Sequence, residues 1–184
     1  DITPKEDGKS YSLKFKDRLK WSDGRDVSTE DLMFSLDQFI KNNSSQDEYK
    51  AFKGATSSKV SDSEITLSLS ARDESLNKHL SQVLLAPGHN YRTENGALIQ
   101  TDDEIFGGPY IYQGLNLIEG GLQVKLSANK YHKNYEKMTN RKVNLRFVDS
   151  KDKLIASFNQ GLISASPQLD SFDVDTDAKF YVYQ

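Results

Sequence analysis

The sequence contains no cysteine, which excludes disulfide bridges, thiolate nucleophiles and cysteine-ligated zinc but leaves the compartment open. It also lacks any run near the roughly 20 consecutive apolar residues that a membrane-crossing helix needs. The opening Asp1-Ile2-Thr3-Pro4 is not a secretion signal, although it is compatible with one already removed. An excess of basic charge is missing too: 24 Lys and Arg face 27 Asp and Glu, for a net charge of −3. That balance argues against nucleic acid or an anionic membrane as partner. No internal repeat or low-complexity tract is visible.

What is present argues for a folded chain. Only 36% of the residues are hydrophobic, yet nine Tyr, nine Phe and one Trp supply more aromatic bulk than disordered sequences carry. A length of 184 residues suits one domain or two small lobes around a real core.

Catalytic signatures are equally sparse. His79, His89 and His132 lie far apart without metal-binding spacing, so they read as scattered surface histidines, and no metal or cofactor is expected. No Gly-x-Ser-x-Gly, Walker loop or dinucleotide fingerprint occurs, and Gly107-Gly108-Pro109 lacks the helix entry of a phosphate cradle. Asp173-Val174-Asp175-Thr176-Asp177 has the opening rhythm of a calcium loop. Ala178 stands where that loop needs glycine and Gln184 where it needs glutamate, so a solvated acidic connector is the better reading. Carboxylates are plentiful, but nothing singles out a pair for acid–base work, and the chain is expected not to be an enzyme.

The hydrophobic pattern nevertheless marks out elements. Tyr11, Leu13 and Phe15 alternate with polar residues as in a strand with one buried face. Trp21 then precedes Ser22-Asp23-Gly24-Arg25, where Gly24 can take positive φ and Asp23 can bond its own backbone, so the chain turns. Ser28 is the expected N-cap of a helix, accepting from the Asp31 amide, with Leu32, Met33, Leu36, Phe39 and Ile40 as its apolar stripe. Ile65, Leu67 and Leu69 predict a second strand. Leu76, Leu80, Val83 and Leu84 predict a short helix over 74–85, stopped by Pro87-Gly88. Further strands are expected around Leu122, Val124 and Leu126 and around Val143, Leu145 and Phe147. Ser150 should cap a helix carrying Leu154, Ile155 and Phe158, closed by Gly161, with a strand starting at Leu162-Ile163 and an edge strand over 180–183. Strands and helices mix without βαβ alternation, which predicts an α+β class.

In order and spacing, these segments resemble a known family. Tyr11-Ser12-Leu13-Lys14-Phe15, Leu19-Lys20-Trp21-Ser22-Asp23-Gly24 and Val27-Ser28-Thr29-Glu30-Asp31-Leu32-Met33-Phe34-Ser35 are similar to the signature of extracytoplasmic solute-binding proteins of ABC importers, peptide/nickel class. Gly107-Gly108-Pro109-Tyr110 resembles the family's Gly-x-Gly-Pro-Tyr, and Leu126 to Tyr131 its strand ending in Asn-x-x-Tyr. Phe106 departs from the Gly or Asn usual there, His132 from the usual aromatic, and Leu162 and Ser164 from an acidic pair.

The resemblance implies a partial chain with part of a type II periplasmic-binding-protein-like fold. Residues 1–105 would form the extra N-terminal subdomain and 106–184 part of the first lobe, ending in an acidic connector. It implies no catalysis, but capture of a small solute, peptide by default, and its delivery to an ABC permease by lobe closure. The parent would be a monomer in the periplasm or a cell-surface lipoprotein, with no nucleic acid partner and no membrane span in this chain. The aromatic after the first helix, Tyr49 or Phe52, would fall near the ligand, although packing into the core competes with that role. Trp21 is expected to lock strand to helix. A stand-alone sensory or protein-interaction module is the alternative.

Overall fold

The computed structural model describes residues 1–101, 104–118 and 121–166. The acidic connector, the calcium-loop rhythm at 173–177 and the strand expected at 180–183 lie outside them, apart from the connector's first residue. The described residues form two compact units, the first within Asp1–Pro109 with Asn129–Glu136, the second within Tyr110–Ala128 and from Lys137 to Ser166.

In the first unit, β1 (Ile2–Pro4), β2 (Ser10–Lys14), β3 (Thr56–Ser61) and β4 (Glu64–Ser68) make an antiparallel sheet in the order β1-β2-β4-β3. The period-two pattern sets its register: Tyr11 pairs with Leu67 and Leu13 with Ile65, so four apolar side chains share one face. Helix α1 (Thr29–Asn43) lays Leu36 and Phe39 on that face, with Leu32, Met33 and Ile40 packed alongside. Leu36, Ile65 and Leu67 are almost fully buried, and each such side chain contributes about 1.5–3 kcal/mol.

A 3₁₀ turn over Asp47–Phe52 carries Tyr49, Ala51 and Phe52 into the same core. Helix α2 (Leu76–Leu80) follows β4 and is shorter than its apolar pattern predicts. After Leu80 the amides of Gln82 and Val83 bond three residues back, to His79 and Leu80, so the chain unwinds through tighter turns. Leu84 is left 87% exposed. Strands β5 (Tyr91–Glu94) and β6 (Ala97–Gln100) then form a hairpin at Asn95-Gly96, both residues with positive φ as a tight primed turn requires.

The second unit is an antiparallel sheet of β7 (Tyr110–Ile118), β8 (Gly121–Ala128) and β9 (Lys142–Val148), in that order, with helix α3 (Lys151–Asn159) after it. Ser150 caps α3 by accepting from the Lys153 amide at 3.3 Å. At the other end Gly161 has φ 71°, its amide donates to Phe158, and the Leu162 amide donates back to Ser157 at 2.9 Å. That bond explains why Leu162-Ile163 does not begin a strand here: the Leu162 amide closes the helix, and Ile163 packs on Leu154 and Phe158. The mixture of helices and antiparallel sheets is α+β.

Candidate functional site

The segments singled out in the sequence come together at one corner of the first unit, centred on Trp21. The turn forms as its residue types require: Gly24 has φ 92°, the Arg25 amide donates to Asp23 Oδ1 at 2.9 Å, and the Trp21 amide donates to the Arg25 carbonyl at 2.9 Å. The Trp21 ring is then fixed by α1. Its Nε1–H donates to Asp31 Oδ2 at 2.9 Å, and the residue is 2% exposed.

Asp31 is the hub that the sequence showed only as a residue of the first helical turn. Its carboxylate accepts from the Ser28 amide at 2.9 Å and the Ser28 hydroxyl at 3.0 Å, while the Asp31 amide donates to Ser28 Oγ, completing a capping box. Its other oxygen accepts from the Gly88 amide at 2.7 Å. Ser35, one turn on, accepts from the Ala86 amide at 2.9 Å, so α1 holds the irregular stretch after α2 by two backbone amides. The Ser-x-x-Asp spacing was the available signal for the box.

The later signature segments close the other side of the corner. Ser22 and Phe106 exchange two bonds, the Ser22 amide to the Phe106 carbonyl at 2.8 Å and the Phe106 amide to Ser22 Oγ at 2.9 Å. Both use Phe106 backbone, so neither depends on the side chain that stands there. Gly107 lies under the indole: a Cβ there would sit 3.0 Å from Trp21 Cζ3. Asn129 is fully buried, with Nδ2 donating to the Gly108 carbonyl and Oδ1 accepting from the Tyr131 amide, both at 3.0 Å. Tyr131 in turn covers Gly24.

Gly24 therefore has two reasons to be glycine. A Cβ would meet Tyr131 Cζ at 2.9 Å, in addition to the left-handed backbone. Gly24→Ala should cost about 2 kcal/mol, measured as a loss of denaturation free energy. Gly8→Ala is the control, since its φ is 66° but nothing lies within 4 Å of its Cβ position. Equal losses would mean that the Tyr131 contact contributes nothing.

Beside this corner lies an open cleft of about 500 Å³, bordered by Arg25, Glu30, Asp31, Phe34, Gly88 and His89 among others. His89 bridges two carboxylates there, with Nε2 2.9 Å from Asp23 and Nδ1 3.7 Å from Asp31. Burial pushes the Asp23 carboxyl up, but the Arg25 amide, His89 and the Arg25 guanidinium outweigh it and hold it below its ordinary value. Glu30, at the rim, is held down to about 2 by its hydrogen bond to Lys59.

His79 corrects the expectation of scattered surface histidines. Its side chain is 4% exposed, with Nδ1 2.6 Å from Asp73 and Nε2 3.6 Å from Glu48, which Lys78 holds below its ordinary value. In both histidines one ring nitrogen is hydrogen-bonded to an aspartate and the other lies within 4 Å of a second carboxylate. Among the described residues no group of three or more His, Asp or Glu is arranged to hold a metal ion.

Tyr49 and Phe52 sit together, inside the core of the first unit. Phe52 has no exposure and Tyr49 has 6%. Their rings pack with Phe39 and His79, and the Tyr49 hydroxyl donates to Gln82 Oε1 at 2.6 Å. Tyr110, in the second unit, donates its hydroxyl to the Asn140 carbonyl at 2.8 Å. Among the described residues no helix is long and apolar enough to cross a membrane.

Comparison with known proteins sets this corner in context. Residues 1–183 match the profile of the bacterial extracellular solute-binding proteins, family 5 Middle. NikZ of Campylobacter jejuni, solved in complex with Ni(L-His), is 20% identical with a TM-score of 0.67, over 89% of this chain and 33% of that one. The oligopeptide-binding protein AppA of Bacillus subtilis, solved with a nonapeptide, is 19% identical with a TM-score of 0.61 over the same shares. The ABC transporter substrate-binding protein CtaP of Listeria monocytogenes is 19% identical with a TM-score of 0.67, over 89% of this chain and 34% of that one. A comparison with curated protein sequences gives no match. The chain thus spans about a third of the solved proteins it resembles, and its fold is part of the type II periplasmic-binding-protein fold.

Proposed function

Because this chain belongs to family 5 of the bacterial extracellular solute-binding proteins, we propose that it is part of a protein that captures a solute outside the cell membrane and delivers it to the permease of an ABC importer. Peptide is the default solute class; the solved neighbours were crystallised with ligands as different as a nonapeptide and Ni(L-His). Delivery proceeds by closure of two lobes over the solute. In this reading residues 1–105 form the N-terminal subdomain and 106–184 part of the first lobe. The parent is a monomer, periplasmic or anchored to the cell surface as a lipoprotein, and catalyses no reaction.

The observation that carries the reading is the convergence of Trp21, Asp31, Gly107 and Asn129, in four separated signature segments, on one corner around the buried indole. Tyr49 and Phe52 enter as residues that shape the ligand wall from behind, since both are enclosed by the core.

Titration calorimetry with short peptides tests this. The longest natural polypeptide carrying the sequence should bind a peptide or another small solute in the micromolar range or tighter, roughly −8 kcal/mol. The 184-residue chain should give no measurable heat, because one wall cannot bury most of a ligand. Tight binding by the short chain would overturn the partial-wall reading. Recovery of a protein partner, with no small solute bound, would replace transport by the interaction-module alternative.

A further inference from the structure

We propose that residues 79–89 of the first unit form a strap fastened at both ends by imidazolium bridges, His79 to Asp73 and Glu48 and His89 to Asp23 and Asp31, which holds tightest in mildly acid medium and slackens as the pH rises. Such a response belongs to the unit itself and does not depend on which solute the parent protein captures.

Between its ends the strap has few ties. Helix α2 stops at Leu80, and residues 83–87 belong to no regular element. Gln82 accepts from the Tyr49 hydroxyl at 2.6 Å, and two backbone amides donate to α1, Ala86 to Ser35 Oγ at 2.9 Å and Gly88 to Asp31 Oδ1 at 2.7 Å. Leu84 and Leu85 are 87% and 37% exposed, so they add little packing to hold the segment down.

Each end carries a histidine set between two carboxyl groups. His79 Nδ1 lies 2.6 Å from Asp73 Oδ2 and its Nε2 lies 3.6 Å from Glu48 Oε1, with the Tyr49 and Phe52 rings at 4.9 and 5.9 Å between centroids. His89 Nε2 lies 2.9 Å from Asp23 Oδ2 and its Nδ1 lies 3.7 Å from Asp31 Oδ1. A neutral imidazole has one N–H, so in either tautomer one carboxylate would face a ring lone pair. The imidazolium presents an N–H to both and adds an ion pair. The side chains of His79 and Asp73 are 4% and 8% exposed, so water does little to screen that pair.

The other charges around the two rings have partners of their own. Lys78 bonds Glu48 at 2.8 Å and holds it below its ordinary value. Beside His89, Asp26 pairs with Lys20 at 2.7 Å and Glu30 with Lys59 at 2.8 Å. The Arg25 guanidinium shares Asp23 with His89 from 3.6 Å, which makes the His89 end the weaker fastening. Burial pushes Asp23 up, yet it stays below its ordinary value. Glu48 and Asp23 are therefore ionised throughout the span in which an imidazole titrates, about pH 5 to 8. Across that span the proton that changes is the one on the ring: the bridges are complete at the acid end and lose one donor each as the pH rises.

Amide hydrogen exchange on the 184-residue chain, corrected for intrinsic exchange, tests this together with the NMR shifts of the imidazole nitrogens. At about pH 5 both nitrogens of each ring should carry a proton, and the Ala86 and Gly88 amides should be about tenfold better protected than at about pH 8. His79→Gln combined with His89→Gln keeps polar side chains that cannot take a charge, and should abolish the difference. If that double variant fails to fold, His89→Gln alone decides, because the side chain is 24% exposed and lies outside the core. It should cut the difference at Gly88 to about threefold or less, and an unchanged difference would overturn the proposal. So would neutral rings at about pH 5, equal protection across the span, or the same tenfold difference in the doubly substituted chain.

Discussion

Asp31→Ala is expected to destabilise the chain by about 3–5 kcal/mol and to shift the emission of its only tryptophan to the red. The substitution leaves the Trp21 indole N–H, the Ser28 amide and hydroxyl and the Gly88 amide without their acceptor. Asp31 is 3% exposed, so water does not replace the lost bonds freely. Orphaning one buried donor costs about 1–3 kcal/mol, and here several lose their partner at once. Two comparisons separate the causes. Ser28→Ala removes the cap alone and should cost about 1 kcal/mol. Asp31→Asn keeps the shape and one acceptor oxygen, so it should fall between the two. Denaturant unfolding followed by tryptophan fluorescence reads all three, since Trp21 reports directly on the corner. If Asp31→Ala costs no more than Ser28→Ala, the carboxylate is not what organises this site.

The parts of the corner were legible in the sequence, whereas their meeting was not. Tyr11 and Leu13 announce their strand by period two, Ser28 announces a helix start, and Asp23-Gly24 a turn, because each depends on neighbours within a few residues. The packing of Gly107 under Trp21, or the bond from Asn129 to Gly108, is set by tertiary distance, and local spacing is silent on that. Only the resemblance, which fixes the order of the segments, hinted that they belong together.

Other elements were hidden for different reasons. Strand β3, Thr56–Ser61, pairs on one side only and is mostly exposed, so its serine-rich sequence shows no apolar alternation. In β7 the bulge at Tyr112 and Gly114 breaks the period that would have marked the strand. The expected length of α2 failed because Leu84 continues the apolar spacing while standing in solvent. His79 gave no signal either: a single histidine carries no periodicity, and its enclosure comes from Asp73, Glu48 and two rings brought in from the 3₁₀ turn.

The same ring cluster gives the second large effect, because Phe52→Ala should cost about 3–5 kcal/mol in denaturant unfolding. Phe52 has no exposure, and its ring meets Phe39 at 5.5 Å, His79 at 5.9 Å and Tyr49 at 6.4 Å between centroids. Alanine leaves a cavity that cannot collapse easily, with β4 on one side and α1 on another. Tyr49→Phe is the contrasting change, since it removes only the hydroxyl that donates to Gln82 and should cost about 1 kcal/mol. The pair also tests the place given to these aromatics behind the ligand wall. In the solute-binding polypeptide, Tyr49→Phe should leave affinity within about twofold, because its hydroxyl is engaged inside the unit rather than with a solute. A loss of about tenfold with unchanged stability would instead make Tyr49 a direct solute contact, which requires the core around Gln82 to open in the closed, loaded state.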